Sequence, residues 1–92
     1  MGTFHQHRGE LHGITVVVET GAELWVGRCD TADDRGVFLL DADVHREADP
    51  PAGTSAREDF LRKASELGVW PRHPQVMIPR QTVRSIRRLG EL

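Results

Sequence analysis

Residues 14–44, ITVVVETGAELWVGRCDTADDRGVFLLDADV, decide the fold. Ile14 to Glu19 is a β-branched run and reads as a first strand. Thr20-Gly21-Ala22 follows as a turn, because glycine takes positive φ at little cost. Glu23 to Asp30 is a second strand, in which Leu24, Val26 and Arg28 alternate with Trp25, Gly27 and Cys29. A glycine inside a strand marks a bend or bulge where a sheet can curl, so Gly27 predicts one. Thr31 to Gly36, TADDRG, is a turn by composition. Val37 to Val44 is a third strand. Its first four residues are all apolar, as for a strand covered on both faces near the middle of a sheet.

Beyond this stretch, His45 to Gly53 breaks regular structure with Pro50-Pro51 and Gly53. Ser55 followed by Glu58 is a capping-box pattern. Phe60, Leu61, Ala64 and Leu67 then form one apolar stripe, and Gly68 with Val69 after it makes a Schellman stop. The spacing predicts a helix over about 56–67, packed over one opening of a small barrel or on a neighbour. Pro71 and Pro74 keep Val69 to Gln75 extended, and Trp70 is a candidate anchor there. Val76-Met77-Ile78 is a short strand and Arg80-Gln81-Thr82 a tight turn. Val83, Ile86, Leu89 and Leu92 recur every three residues, which fits a helix about as well as a strand.

The chain has 92 residues and a formal net charge of −2. That length implies one domain over residues 1–92, with 1–12 as a lead-in and 45–75 as an insertion carrying the helix. So short a chain has a thin core, and association with further copies would thicken it. An acidic balance argues against coating nucleic acid by charge alone. The charge is uneven, with acids dominating from Glu19 to Asp49 and arginines from Arg72 onward, so opposite signs could steer copies together or neutralise each other within one chain. One cysteine, Cys29, excludes an internal disulfide and fits a reducing, cytoplasmic setting. No apolar run is long enough for a membrane helix, and the N-terminus has no signal-peptide pattern.

His5, His7 and His12 make the start locally histidine-rich, but a metal site needs three or four rigid ligands, and no metal or cofactor is expected. Trp25 reads as core or interface and Cys29 as a small buried apolar group. Asp41 and Asp43 share a strand face near its solvent end. His45 and His73 flank the insertion without a triad pattern, and no phosphate-binding or dinucleotide fingerprint occurs. An enzyme is not expected.

The three strands ending in Val37-Phe38-Leu39-Leu40-Asp41-Ala42, with Thr20-Gly21 and Gly27 at matching spacing, resemble the first motif of the Sm-like family. Residues Val76 to Ile86, VMIPRQTVRSI, resemble its second motif, two short strands around a tight turn. The resemblance covers about half the chain. It implies a mainly β, SH3-type five-stranded small barrel with one helix inserted between strands 3 and 4, and Val83 to Leu89 as the fifth strand. It also implies a homo-oligomer, a hexamer or heptamer closed by strand four of one copy pairing with strand five of the next, and single-stranded RNA held at turns facing the pore. Mapped onto this chain, the nucleic-acid-binding residues are Asp33, Arg35, Arg80, Gln81 and Arg84. Two positions depart from the family pattern: Gly36 stands where an asparagine is usual, and Pro79-Arg80 replaces Arg-Gly.

Two functional expectations follow. One is a non-catalytic oligomeric Sm-like scaffold binding single-stranded RNA through arginines that grip phosphates or stack on bases. The alternative is a protein-interaction or assembly module that keeps the barrel without RNA binding. In that case Arg35, Arg80 and Arg84 form a solvated basic edge or pair with Asp33 or Asp34.

Overall fold

A computed structural model describes residues 11–46 and 54–91. The lead-in histidines His5 and His7, and most of the proline-bearing break, lie outside these residues. The strands are β1 (Thr15–Glu19), β2 (Glu23–Asp33), β3 (Gly36–Arg46), β4 (His73–Pro79) and β5 (Ser85–Arg88). One helix, α1 (Thr54–Leu67), lies between β3 and β4 in the chain, as expected. All five strands form one antiparallel sheet in the order β4-β3-β2-β1-β5. The sheet is open: no ladder joins β4 to β5.

Two bulges bend the long β2–β3 pair. Val26 faces Asp43 while Arg28 faces Leu40, so β3 carries one extra residue opposite Gly27. Asp41 takes the kink there at φ 52°. Cys29 then faces Leu39 while Thr31 faces Phe38, which leaves Asp30 as the extra residue on β2. The Asp30 carbonyl accepts a hydrogen bond from His12 Nδ1 at 2.7 Å. Gly27 is needed at the first bulge, because a Cβ on it would sit 2.8 Å from the Ala42 Cβ. A methyl at that distance has no room unless the backbone moves.

The bends bring distant strands onto one core. Val16, Val18, Trp25, Cys29, Val37, Leu39 and Ile78 form one cluster, with Val83 and Ile86 packed against it. In a flat sheet the two outer strands would stand about 19 Å apart, four spacings of roughly 4.8 Å. Ile78 of β4 and Ile86 of β5 share one cluster only because the sheet curls. The opposite face carries Val17, Leu24 and Val26, covered by Ala64 of α1 with Phe60, Leu61, Val69 and Leu89 around them. The helix therefore lies on one face of the curled sheet. Both faces of β1 are covered, which is why three consecutive valines are fully buried.

Several boundaries differ from the sequence reading. TADDRG is not one long turn: Thr31, Ala32 and Asp33 continue β2, and the hairpin closes over Asp34 and Arg35 alone. The period-three run splits: β5 ends at Arg88 and Leu89–Glu91 forms a 3-10 turn. Gly68 does stop the helix, at φ 89°, its N–H donating to the Ala64 carbonyl at 3.1 Å. That single bond is the simpler left-handed cap and not the two-bond Schellman form. Leu67 does not join the apolar stripe and is 81% exposed.

Two outcomes test this packing. Gly27→Val should lower unfolding stability by about 1–3 kcal/mol through overpacking against Ala42, read by urea denaturation. Burial, with Asp30 adding to it, pushes the Cys29 thiol from 9.0 up to about 11. Above pH 9 the unfolded chain loses this proton while the folded chain keeps it. Stability should therefore fall as pH rises from about 9 to 11, and the fall should vanish in Cys29→Ala, read from denaturation midpoints.

Candidate nucleic-acid interface

The β2–β3 hairpin is held by a side chain at its base. Asp33 Oδ1 accepts the Arg35 backbone N–H at 2.9 Å, the short-range bond that lets aspartate replace a backbone turn. Its carboxylate also pairs with the Arg35 guanidinium, Nη2 to Oδ2 at 3.0 Å and Nε to Oδ1 at 3.5 Å. The hydrogen bond and then the charge of Asp33 push the Arg35 pKa further up. The guanidinium carbon also lies 5.6 Å from the Phe38 ring centroid, within cation–π range.

The turn after β4 docks on this hairpin. The Arg80 N–H donates to the Arg35 carbonyl at 3.1 Å, and Arg80–Thr82 continues as one 3-10 turn. Gly36 packs against the same strand. Its φ is 146°, and a Cβ there would overlap the Ile78 carbonyl oxygen and lie 3.0 Å from the Arg80 nitrogen. An asparagine, usual in the resembled family, has no room at this position.

Gln81 and Arg84 lie on the far side of the 3-10 turn. They line a groove of about 520 Å³ between the β1–β2 turn (Thr20 to Glu23) and β4, with Trp25 and Met77 among its apolar walls. The Arg84 N–H donates to the Glu19 carbonyl at 2.7 Å. Its guanidinium lies over Gly21, Nη2 3.4 Å from where a Cβ would stand. The neighbouring acids are already engaged. Glu19 pairs with Arg57 at 3.3 Å, and Glu23 pairs with Arg46 at 3.2 Å and accepts the Trp25 indole N–H at 3.0 Å. Arg84 itself makes no side-chain ion pair among the described residues, nor does Arg87 on β5. The groove mouth therefore carries an uncompensated positive charge.

The five expected residues thus divide into two groups joined by one turn: Asp33, Arg35 and Arg80 at the hairpin, Gln81 and Arg84 in the groove. The expectation that Arg35 pairs with Asp33 holds, and it lowers the net charge of the hairpin side. Sequence reasoning saw Thr20-Gly21-Ala22 as a turn but gave it no part in a site, although the curl of the sheet brings it opposite β4. No short-range pattern reports that juxtaposition.

Other residues lie apart from this face. Among the described residues no three His, Cys, Asp or Glu side chains gather. Asp41 pairs with Arg28 at 3.4 Å and Asp43 accepts the Val44 N–H at 2.8 Å. Trp25 is buried, edge-on to His73 at 5.2 Å. No helix of the described residues is long and apolar enough to cross a membrane. No family model, curated protein or solved structure matches the chain.

The two groups should respond differently to mutation. Asp33→Ala should cost about 1–2 kcal/mol, because it removes the turn bond and leaves the Arg35 N–H without its acceptor. Arg84→Ala should stay within about 0.5 kcal/mol of wild type, as for an exposed side chain without partners. Thermal and urea unfolding of both variants check the contrast.

Proposed function

We propose that this chain is a non-catalytic, Sm-like scaffold that assembles edge to edge with copies of itself and holds single-stranded RNA on the face carrying Arg80, Gln81 and Arg84. In this reading the curled sheet is a small SH3-type barrel left open between β4 and β5. The observation that carries it is the pair of unpaired sheet edges. β4 and β5 each present one row of backbone N–H and C=O groups with no strand beside it among the described residues. Such edges recruit strands, and β4 of one copy against β5 of the next is a head-to-tail contact that closes into a ring of six or seven when the rotation allows. The RNA reading is supported by Arg84, whose charge no neighbouring acid takes up, beside a groove wide enough for a base. A single free thiol fits a reducing cytoplasm.

A second reading is favoured by a specific observation. Arg35 is neutralised by Asp33, and Gly36 leaves no space for the asparagine usual in the family. These features suit an assembly module that has kept the fold without RNA binding.

Light scattering after size exclusion, with absorbance at 260 and 280 nm on the same peak, separates the readings. A mass of several subunits with bound nucleic acid is the expected result. A multimer free of nucleic acid that also binds no added oligouridine favours the assembly module, and a monomer overturns both. Met77→Lys on β4 should lower the mass, because it faces the arginines of an incoming β5 with a like charge. Arg84→Ala should weaken RNA binding and reduce its salt dependence by about 0.7 in the log–log slope, one phosphate contact on a single strand.

A further inference from the structure

The end of α1 exposes an apolar surface that the strand edges do not explain. Leu67 is 81% and Trp70 67% exposed, and they flank a groove of about 430 Å³ with Phe60, Ala64 and Val69 in its walls. Its floor is continuous with the second core, since Ala64, Phe60 and Val69 also pack around Val17, Leu24 and Val26. The Trp70 backbone is fixed on both sides. Gly68 ends the helix in the left-handed conformation, and the Trp70 carbonyl accepts the Arg72 N–H across Pro71 at 2.8 Å. The indole is thus presented from a rigid turn. Large apolar side chains grouped in this way and rimmed by charge mark an interaction surface.

The rim indicates what covers it. Lys63 lines the groove, and Glu66 stands three residues on along the same helix. Both are exposed, and neither makes an ion pair or side-chain hydrogen bond among the described residues. Arg62 next to them is already paired with Asp59 at 2.7 Å, and Arg72 lies 3.9 Å from Asp43. One unpaired cation and one unpaired anion near the same apolar groove make a self-complementary pattern. When two such helices run antiparallel about a twofold axis, position 63 of each falls opposite position 66 of the other.

We propose that this groove is a self-association surface on which two copies pack α1 against α1, Leu67 and Trp70 of each entering the groove of the other and Lys63 of each meeting Glu66 of the other. The contact is isologous, so it closes after two copies and propagates no further. It uses a different surface from β4 and β5. Edge assembly and helix pairing are therefore separable, and together they would join two edge-built assemblies back to back.

The test uses the full chain in the Met77→Lys background, so that edge assembly does not mask the dimer. Sedimentation equilibrium is measured for that chain, for Lys63→Glu, for Glu66→Lys and for the two combined. Each single reversal places like charges opposite each other twice per dimer and should weaken it by about tenfold or more. The double reversal restores opposite charges and should recover the dimer, which no partner other than a second copy would produce. Emission from Trp70, exposed in the monomer, should shift to the blue on association and lose that shift in the single variants. Singles that associate like their parent, a double variant as weak as the singles, or a parent chain that stays monomeric would each overturn the proposal. So would a monomer that instead takes an acidic apolar peptide at Trp70.

Discussion

The close approach of β3 to β2 at Gly27 is the contact on which the rest of the structure depends. Two strands of eleven residues would pair as a long, gently twisted ribbon if their register ran unbroken. The Ala42 methyl fills the place a side chain at position 27 would need, while Asp41 takes the unusual backbone angle that an extra residue imposes. A second bulge at Asp30 repeats the bend on the opposite strand. With both bends in place, one face of the sheet becomes the inside of a curl. That inside can be filled by a few small and medium side chains, which suits a chain too short to bury a large core.

Curling also determines where the polar features fall. The hairpin over Asp34 and Arg35 meets the turn that follows β4, and the β1–β2 turn meets the far side of β4. Arg80 and Arg84, four residues apart, consequently reach different neighbours. Arg80 is tied by its backbone to a hairpin whose own arginine is neutralised, while Arg84 stands beside glutamates that other arginines have taken. Counting charges along the chain treats the two alike. Their difference in available charge is a property of the curl.

Much of the fold was legible because local signals and tertiary demands agreed. The valine run, the Thr-Gly-Ala turn, the glycine in the second strand and the glycine stop of the helix each act over a few residues. Each is where the sequence places it. The TADDRG segment misled because its composition is that of a turn. Ala32 is nonetheless buried, and the Asp33 carboxylate closes the turn within two residues, so the strand runs on to the tip. The period of three from Val83 to Leu89 was ambiguous for a related reason. Val83 and Ile86 pack on the inner cluster and Leu89 on the outer one, with a change from strand to 3-10 turn between them. A single helix or strand period could not describe residues that serve two cores.

Leu67 shows the limit of periodicity most clearly. It lies at helical spacing from Phe60 and Ala64 and would count as core on any apolar stripe. The sheet face under α1 ends before it, so the stripe is longer than the surface it covers. Gly68 then turns the chain away at once, and Pro71 fixes the return to β4, so neither Leu67 nor Trp70 can fold back over the sheet without breaking a backbone constraint. The chain thus keeps two large apolar side chains in water at a rigid corner, beside charges of opposite sign that stay unpaired within the described residues. Burying them would recover about 1.5–3 kcal/mol for the leucine alone, and that gain is open only to an arrangement in which something else meets the corner.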